Sequence, residues 1–241
     1  MVGSGPPGLL ALVGAPSEVL RGNRAVLTRL LARYEIDRLQ ALRSAPARES
    51  YLAAHLLVRR AAAAATGLDE QSLVLGQRCD ECGGDHGRPF FHGQPSLHVS
   101  LTHCTDAVGA VVGVTPCAID LEGWDAVAFD PSLSERVFSR DECHALAALD
   151  SKAAQPGTPS PRQMLALRLW VRKECLIKLG RLSLDGMAAC DLSAAGVDAL
   201  PADRLVRSAC GDLQFTEWVD SRTRTVGAIA SFTSTAVHFL G

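Results

Sequence analysis

Asp120 and Glu122 are carboxylates one residue apart at the end of a short apolar stretch, Cys117 to Gly123, read C-A-I-D-L-E-G. In a strand, side chains alternate faces, so these two point the same way. Like charges on one face repel unless a cation sits between them. A hard cation such as Mg²⁺ takes one or two carboxylates and completes its shell with water and substrate phosphate. The plainer alternative is a strand running into a solvated acidic turn. A second set of residues shifts the balance. Trp170, Glu174 and Lys178 recur at i, i+4 and i+8, so a helix places them on one stripe. An exposed Glu–Lys helical pair is worth only about a few tenths of a kcal/mol. A tryptophan, a carboxylate and a lysine on one stripe of an apolar helix instead suit the wall of a cleft.

Three other groups have types and positions suited to chemistry. Gly87-Arg88-Pro89 presents one cation on a rigid turn, and Arg48, at a helix start, is placed to meet an anionic ligand. Thr102 and His103 come at the end of the alternating run Ser96 to Cys104. A lone histidine is more often structural, but the chain order puts His103 near the acidic pair. Cys79 and Cys82 have the C-x₂-C spacing of a zinc half-site, with His86 as a third candidate ligand. His92, His98, His103, Cys104 and Cys117 are candidates for a fourth. The alternative is a glycine-rich turn with reduced thiols.

The elements that must position these residues follow from periodicity and punctuation. A strand is expected at Leu9 to Val13 after a Gly/Pro-rich entry. One helical stretch is expected from Ser17 to Leu42, ended by Ala45-Pro46. A second helix is expected from Ala47 to Thr66, with Arg48, Arg59 and Arg60 on its rim. Gln71 to Leu75 reads as a strand, and Ser96 to Cys104 with Ala107 to Val114 as a hairpin. Ser134 to Leu149 reads as helix broken at Ser139, and Asp150 to Ser160 as a loop. Ser160-Pro161 opens a helix that runs to Leu179 and stops at Gly180. Strands are expected at Leu205–Ser208, Leu213–Val219, Arg224–Phe232 and Ala236–Phe239. Val108-Gly109-Ala110-Val111 and Val226-Gly227-Ala228-Ile229 are near copies, a faint trace of duplication.

The bulk numbers narrow the class. A chain of 241 residues that is 47% hydrophobic can bury a sizeable core. A net charge of −2 and 5% aromatics argue against a nucleic-acid partner, though not against a local basic pocket. No apolar run is long enough to span a membrane, and no basic leader precedes the N-terminal apolar residues. Eight scattered cysteines in a chain of this kind point to a cytoplasmic protein with reduced thiols.

Taken in order, G-R-P at 87–89, S-L-T-H at 100–103, I-D-L-E at 119–122, F-S-R-D-E at 138–142 and W-V-R-K-E-C-L-I-K at 170–178 resemble the surfactin-type 4′-phosphopantetheinyl transferases. R-E-S-Y-L-A-A-H-L-L-V-R, Arg48 to Arg59, resembles that family's first block, and C-x₂-C-G-x₂-H-G-R-P is similar to a run in many actinobacterial members. The resemblance covers roughly residues 25 to 232. It implies an α+β fold of two similar α/β halves related by a pseudo-two-fold, here 1–116 and 117–241, acting as a monomer. It implies transfer of the 4′-phosphopantetheine arm of coenzyme A to a serine of an acyl or peptidyl carrier protein, releasing adenosine 3′,5′-bisphosphate, with coenzyme A and Mg²⁺ in the cleft between the halves. It matches Asp120, Glu122 and Glu174 to the Mg²⁺ ligands. It matches Arg48, Arg88, Thr102 and His103 to the positions facing coenzyme A, and Lys178 to the lysine near the reacting phosphate. Lys173 matches a basic neighbour. Glu174 and Lys178 are then the expected catalytic pair.

The chain departs from the family pattern at Ala118, which replaces a glycine before the acidic pair, at Thr102 and Cys104, which replace the serines on either side of His103, and at Arg88, which stands where the family usually has lysine. Two other classes of function compete with the transferase. One is a binding module for coenzyme A or a carrier protein that kept the fold and lost the chemistry; the intact carboxylates and lysine argue against it. The other is an interaction domain organised by zinc on Cys79 and Cys82, which explains only one turn of chain.

Overall fold

The computed structural model of the chain describes residues 8–22, 29–79, 82–125, 131–149, 157–194, 204–232 and 236–239. The entry segment at 1–7, the helical residues expected at 23–28 and most of the loop expected at 150–160 lie outside the described residues. The elements are β1 (Leu9–Gly14), α1 (Pro16–Leu20), α2 (Arg33–Ala41), α3 (Ala45–Thr66), β2 (Leu75–Arg78), β3 (Arg88–Phe91), β4 (His98–His103), β5 (Val108–Gly113) and β6 (Cys117–Gly123). There follow α4 (Pro131–Val137), α5 (Arg140–Ala147), α6 (Pro161–Lys178), β7 (Val206–Cys210), β8 (Leu213–Asp220), β9 (Thr225–Phe232) and β10 (Val237–Phe239). This mixture of helices and largely antiparallel sheet is the expected α+β class.

The chain divides into two compact units, Met1–Ile119 with Ser234–Gly241, and Asp120–Thr233. The division falls inside β6 rather than before it, and the C-terminal tail belongs to the first unit. The tail goes there because β1 has an unpaired edge: β10 pairs with it in parallel, Leu9 opposite Val237.

In the first unit the sheet order is β10-β1-β5-β4, and α3 packs on β5. α3 forms as expected. Ser44 caps it by accepting from the Ala47 N–H at 3.2 Å, and a proline stands in its first turn. Its inward residues Ala53, Ala54, Val58, Ala61 and Ala62 are small, which lets the helix lie close to Val108, Ala110 and Val112 of β5. The continuous helix expected over 17–42 is not formed. α2 starts afresh after Ala32, whose N–H donates to Glu35 Oε2 at 2.6 Å. Glu35 is fully buried, where it also meets His55 and Arg59 of α3. Arg59 is therefore not on the rim: its Nη2 donates to Glu35 Oε2 at 2.6 Å and its Nη1 to Oε1 at 3.0 Å. A buried guanidinium needs such a partner, and the break before Arg33 is what delivers it. The strand expected over 71–75 is a 3₁₀ turn, Glu70–Ser72, capped by Asp69, and β2 begins only at Leu75.

In the second unit the sheet order is β6-β9-β8-β7, and α6 packs on β9. Ser160 caps α6 through the Gln163 N–H at 3.2 Å. The break at Ser139 forms as expected: its hydroxyl accepts from Glu142 N–H while the Glu142 carboxylate accepts from Ser139 N–H. The near-repeated Val-Gly-Ala motifs lie in β5 and β9, each an inner strand of its own sheet and each packed against the longest described helix of its unit. Gly227 is required where it stands, since a Cβ there would lie 2.3 Å from Trp218 Cζ2 and 2.7 Å from Leu121 Cδ2. No helix among the described residues is long and apolar enough to cross a membrane.

Candidate functional site in the second unit

β6 is buried along Cys117 to Leu121 and opens at its end. Asp120 is 6% exposed and Glu122 half-buried. α6 buries most of its length against the sheet, and its Cys175 thiol donates to the Ala228 carbonyl of β9 at 3.3 Å. Trp170, Glu174 and Lys178 are left only partly covered, the stripe expected from their spacing. β6 neighbours β9, so the stripe comes down beside the β6 carboxylates. Lys178 Nζ donates to Asp120 Oδ1 at 2.7 Å. The second unit thus brings together Asp120 and Glu122 of β6 with Glu174 and Lys178 of α6, more than 50 residues further along the chain.

The electrostatics of this cluster are those of an anionic site with one counter-charge. Glu122 is pushed above the ordinary carboxylate range by burial, then by the charges of Asp120 and Glu174, against the lowering pull of the Gly123 N–H and Lys178. Glu174 is pushed up by burial and by Asp120, with Lys178 working the other way. For Lys178, burial favours loss of its proton, but Asp120 and the surrounding negative groups outweigh it and hold the ammonium charged. Three carboxylates share one lysine, and the excess negative charge in a half-buried place favours a cation. The donors are all hard oxygens on a strand end and a helix, which fits Mg²⁺ better than a thiol- or imidazole-seeking metal.

The expected residues of the first unit are placed as follows. Arg48 sits in the first turns of α3, where its Nη1 donates to the Leu42 and Arg43 carbonyls at 2.8 and 3.2 Å. His103 ends β4, exposed, with its ring edge-on to Tyr51 at 6.5 Å, one turn beyond Arg48 on α3. Arg48 and His103 therefore share one end of that unit. Thr102 is buried, on the face of β4 that carries Ser100 rather than the face of Val99 and Leu101. Arg88 is exposed on β3, opposite Arg78 of β2. Lys173 requires a correction. It is fully buried, and its ammonium donates to Glu142 Oε2 at 2.5 Å, Val137 O at 2.8 Å and Met187 O at 2.9 Å. The same helix that exposes Lys178 turns Lys173 inward, so Lys173 ties α6 to α4 and α5 instead of meeting a ligand. Ala118 is fully buried, so its methyl belongs to the core.

Sequence reasoning missed two buried ionic groups, Glu35–His55–Arg59 and Glu217 with Arg168 and Arg172. Their signal was weak, because each looks like an ordinary charge on an amphipathic element until the partner arrives from another one. Cys79, Cys82 and His86, by contrast, do come together. Among the described residues they are the one His/Cys/Asp/Glu group whose ligand atoms all lie within 4.8 Å of one another.

Fold and site define an α+β protein with a carboxylate-rich, cation-compatible site built on a strand end and a helix stripe. Residues 116–229 match the family model described as the 4′-phosphopantetheinyl transferase superfamily. The chain is 27% identical over 164 residues to the "4′-phosphopantetheinyl transferase" of Bacillus subtilis, covering 63% of this chain and 66% of that protein. It is 32% identical over 117 residues to the "4′-phosphopantetheinyl transferase psf-1" of Bacillus pumilus, covering 43% and 46%. The matches thus span just under two thirds and under half of those relatives' lengths. Over these stretches the chain is similar to the 4′-phosphopantetheinyl transferase superfamily.

Proposed function

We propose that this protein transfers the 4′-phosphopantetheine arm of coenzyme A to a serine of an acyl or peptidyl carrier protein and releases adenosine 3′,5′-bisphosphate. The observation that carries the reading is the gathering of Asp120, Glu122, Glu174 and Lys178 within the part of the chain that matches the superfamily. Asp120, Glu122 and Glu174 would hold Mg²⁺, which when bound neutralises charge on the diphosphate. Phosphoryl transfer needs positioning and charge stabilisation more than covalent catalysis. Lys178 is held charged by its acidic neighbours and would stabilise negative charge growing on the phosphate and the departing nucleotide. Glu174, a carboxylate of this cluster on the partly exposed stripe of α6, is our choice to accept the serine proton. Arg48, Arg88, Thr102 and His103 would bind coenzyme A. We infer a cytoplasmic monomer serving polyketide or nonribosomal peptide synthesis, as in antibiotic biosynthesis.

The test follows nucleotide release. Coenzyme A, Mg²⁺ and an apo carrier protein should yield adenosine 3′,5′-bisphosphate, and omitting either the metal or the carrier should abolish it. Release that ignores both would remove the reading. Binding of coenzyme A and carrier without any release would favour the binding-module alternative instead.

A further inference from the structure

Three features of the β2–β3 turn point to a metal site. The first is its ligand set: the Cys79 and Cys82 sulfurs and a His86 ring nitrogen lie within 4.8 Å of one another, and Cys82 Sγ is 3.0 Å from His86 Nε2. The edges of a zinc tetrahedron with these donors are about 3.5–3.8 Å, given Zn–S of about 2.3 Å and Zn–N of about 2.0–2.1 Å. Closing on an ion therefore needs only about an ångström of side-chain motion. The second is the backbone that delivers these donors. Gly83 N–H donates to Cys79 O at 2.9 Å, Cys79 N–H to Gly84 O at 3.0 Å and His86 N–H to Gly84 O at 2.8 Å. Gly87 then has φ +100 and passes so close to the other strand that a Cβ would lie 2.5 Å from Arg78 O and 2.9 Å from Cys79 Cα. Only glycine permits this crossing, and the crossing sets His86 against Cys79.

The third feature is what the turn holds. β2 and β3 are four residues each and, among the described residues, pair only with one another; Leu75 and Phe91 anchor their far end in the core, which leaves the turn end without a neighbouring strand. Arg78 and Arg88 stand directly opposite at the end nearest the turn, where like charges oppose pairing. The hairpin thus carries a built-in repulsion beside three soft ligands.

We propose that Cys79, Cys82 and His86 bind one Zn²⁺ with solvent in the fourth position, clipping the β2–β3 hairpin and fixing the Arg78–Arg88 pair. Thiolates and imidazole select Zn²⁺ over the hard cation that suits the carboxylates of the second unit. Binding releases the thiol protons, so affinity falls with acid. The consequence for ligand binding by Arg88 rests on the proposed function; the metal site itself does not.

The test is metal content and spectroscopy on the full chain purified under reducing conditions. About one zinc per chain is expected, and exchange for Co²⁺ should give a thiolate-to-cobalt charge-transfer band in the near ultraviolet. Cys79→Ser with Cys82→Ser should lose both signals, Cys190→Ser should keep them, and His86→Ala should weaken binding at least about tenfold. Zinc should also slow amide exchange at residues 76–78, 88 and 90. A wild-type chain that takes up no zinc at micromolar concentration overturns the proposal, as does full zinc content in the double variant. Neither outcome depends on transferase activity, so this site and the transfer reaction fail separately.

Discussion

Lys178 and Lys173 are five residues apart on one helix and have opposite fates. Lys178 reaches the acidic cluster and keeps part of its surface exposed, 28% of the side chain, while Lys173 has none. Lys178→Met, Asp120→Asn and Glu174→Gln should each lower transfer to a carrier protein by about 10²–10³-fold while leaving the circular dichroism spectrum unchanged. Full turnover of Glu174→Gln with normal Mg²⁺ dependence would remove its assignment as proton acceptor. Lys173→Met should act on the fold instead. It strands Glu142 without its buried partner and should cost about 3–5 kcal/mol in urea unfolding, with the KM for coenzyme A of the folded protein unchanged. A raised KM at undiminished stability would return Lys173 to the ligand site. The sequence showed that both lysines matter. It did not show which faces inward, because that depends on the angle at which α6 meets β9.

Among the elements, α2 and α3 are joined by Glu35, His55 and Arg59, and this joint is sensitive to acid. For Glu35 burial alone would raise the pKa, but hydrogen bonds from His55 and Arg59 hold the carboxyl below its ordinary range. That stabilisation is present above the ordinary carboxylate pKa and fades as pH falls through the depressed one. Burial lowers the His55 pKa despite the pull of Glu35, so the folded chain keeps the ring neutral, its Nδ1–H donating to Glu35, while the unfolded chain takes up a proton near pH 6.5. Both shifts have one sign: stability falls on acidification, beginning around pH 6.5. The urea midpoint should therefore drop between pH 7.5 and pH 5.5, and the drop should shrink in His55→Gln. An unchanged midpoint in the wild type would contradict the buried triad. The caps at Ser44, Ser139 and Ser160 were readable in advance, because a cap is a local pattern of a few residues. The break before α2 was not, because Glu35 is fixed by partners some 20 residues away.

On the scale of the whole chain, the two sheets and their covering helices were legible from alternation and helical period, and Asp120, Glu122, Glu174 and Lys178 from order and spacing. The return of β10 to the first unit was not, since a short strand carries no mark of the sheet it joins. That pairing predicts that Val237→Asp, which places a charge where a side chain is 7% exposed, should speed amide exchange in Leu9–Ala11 and leave β9 protected. Equal loosening of both sheets would show that the two units do not unfold separately. The central claim is the transfer reaction, and the most direct measurement is the mass of an apo carrier protein after incubation with this chain, coenzyme A and Mg²⁺. A gain of about 340 Da on the carrier, abolished by chelation and by Asp120→Asn, is the predicted result. No gain across several unrelated carrier proteins, or a gain that persists in both controls, would contradict it.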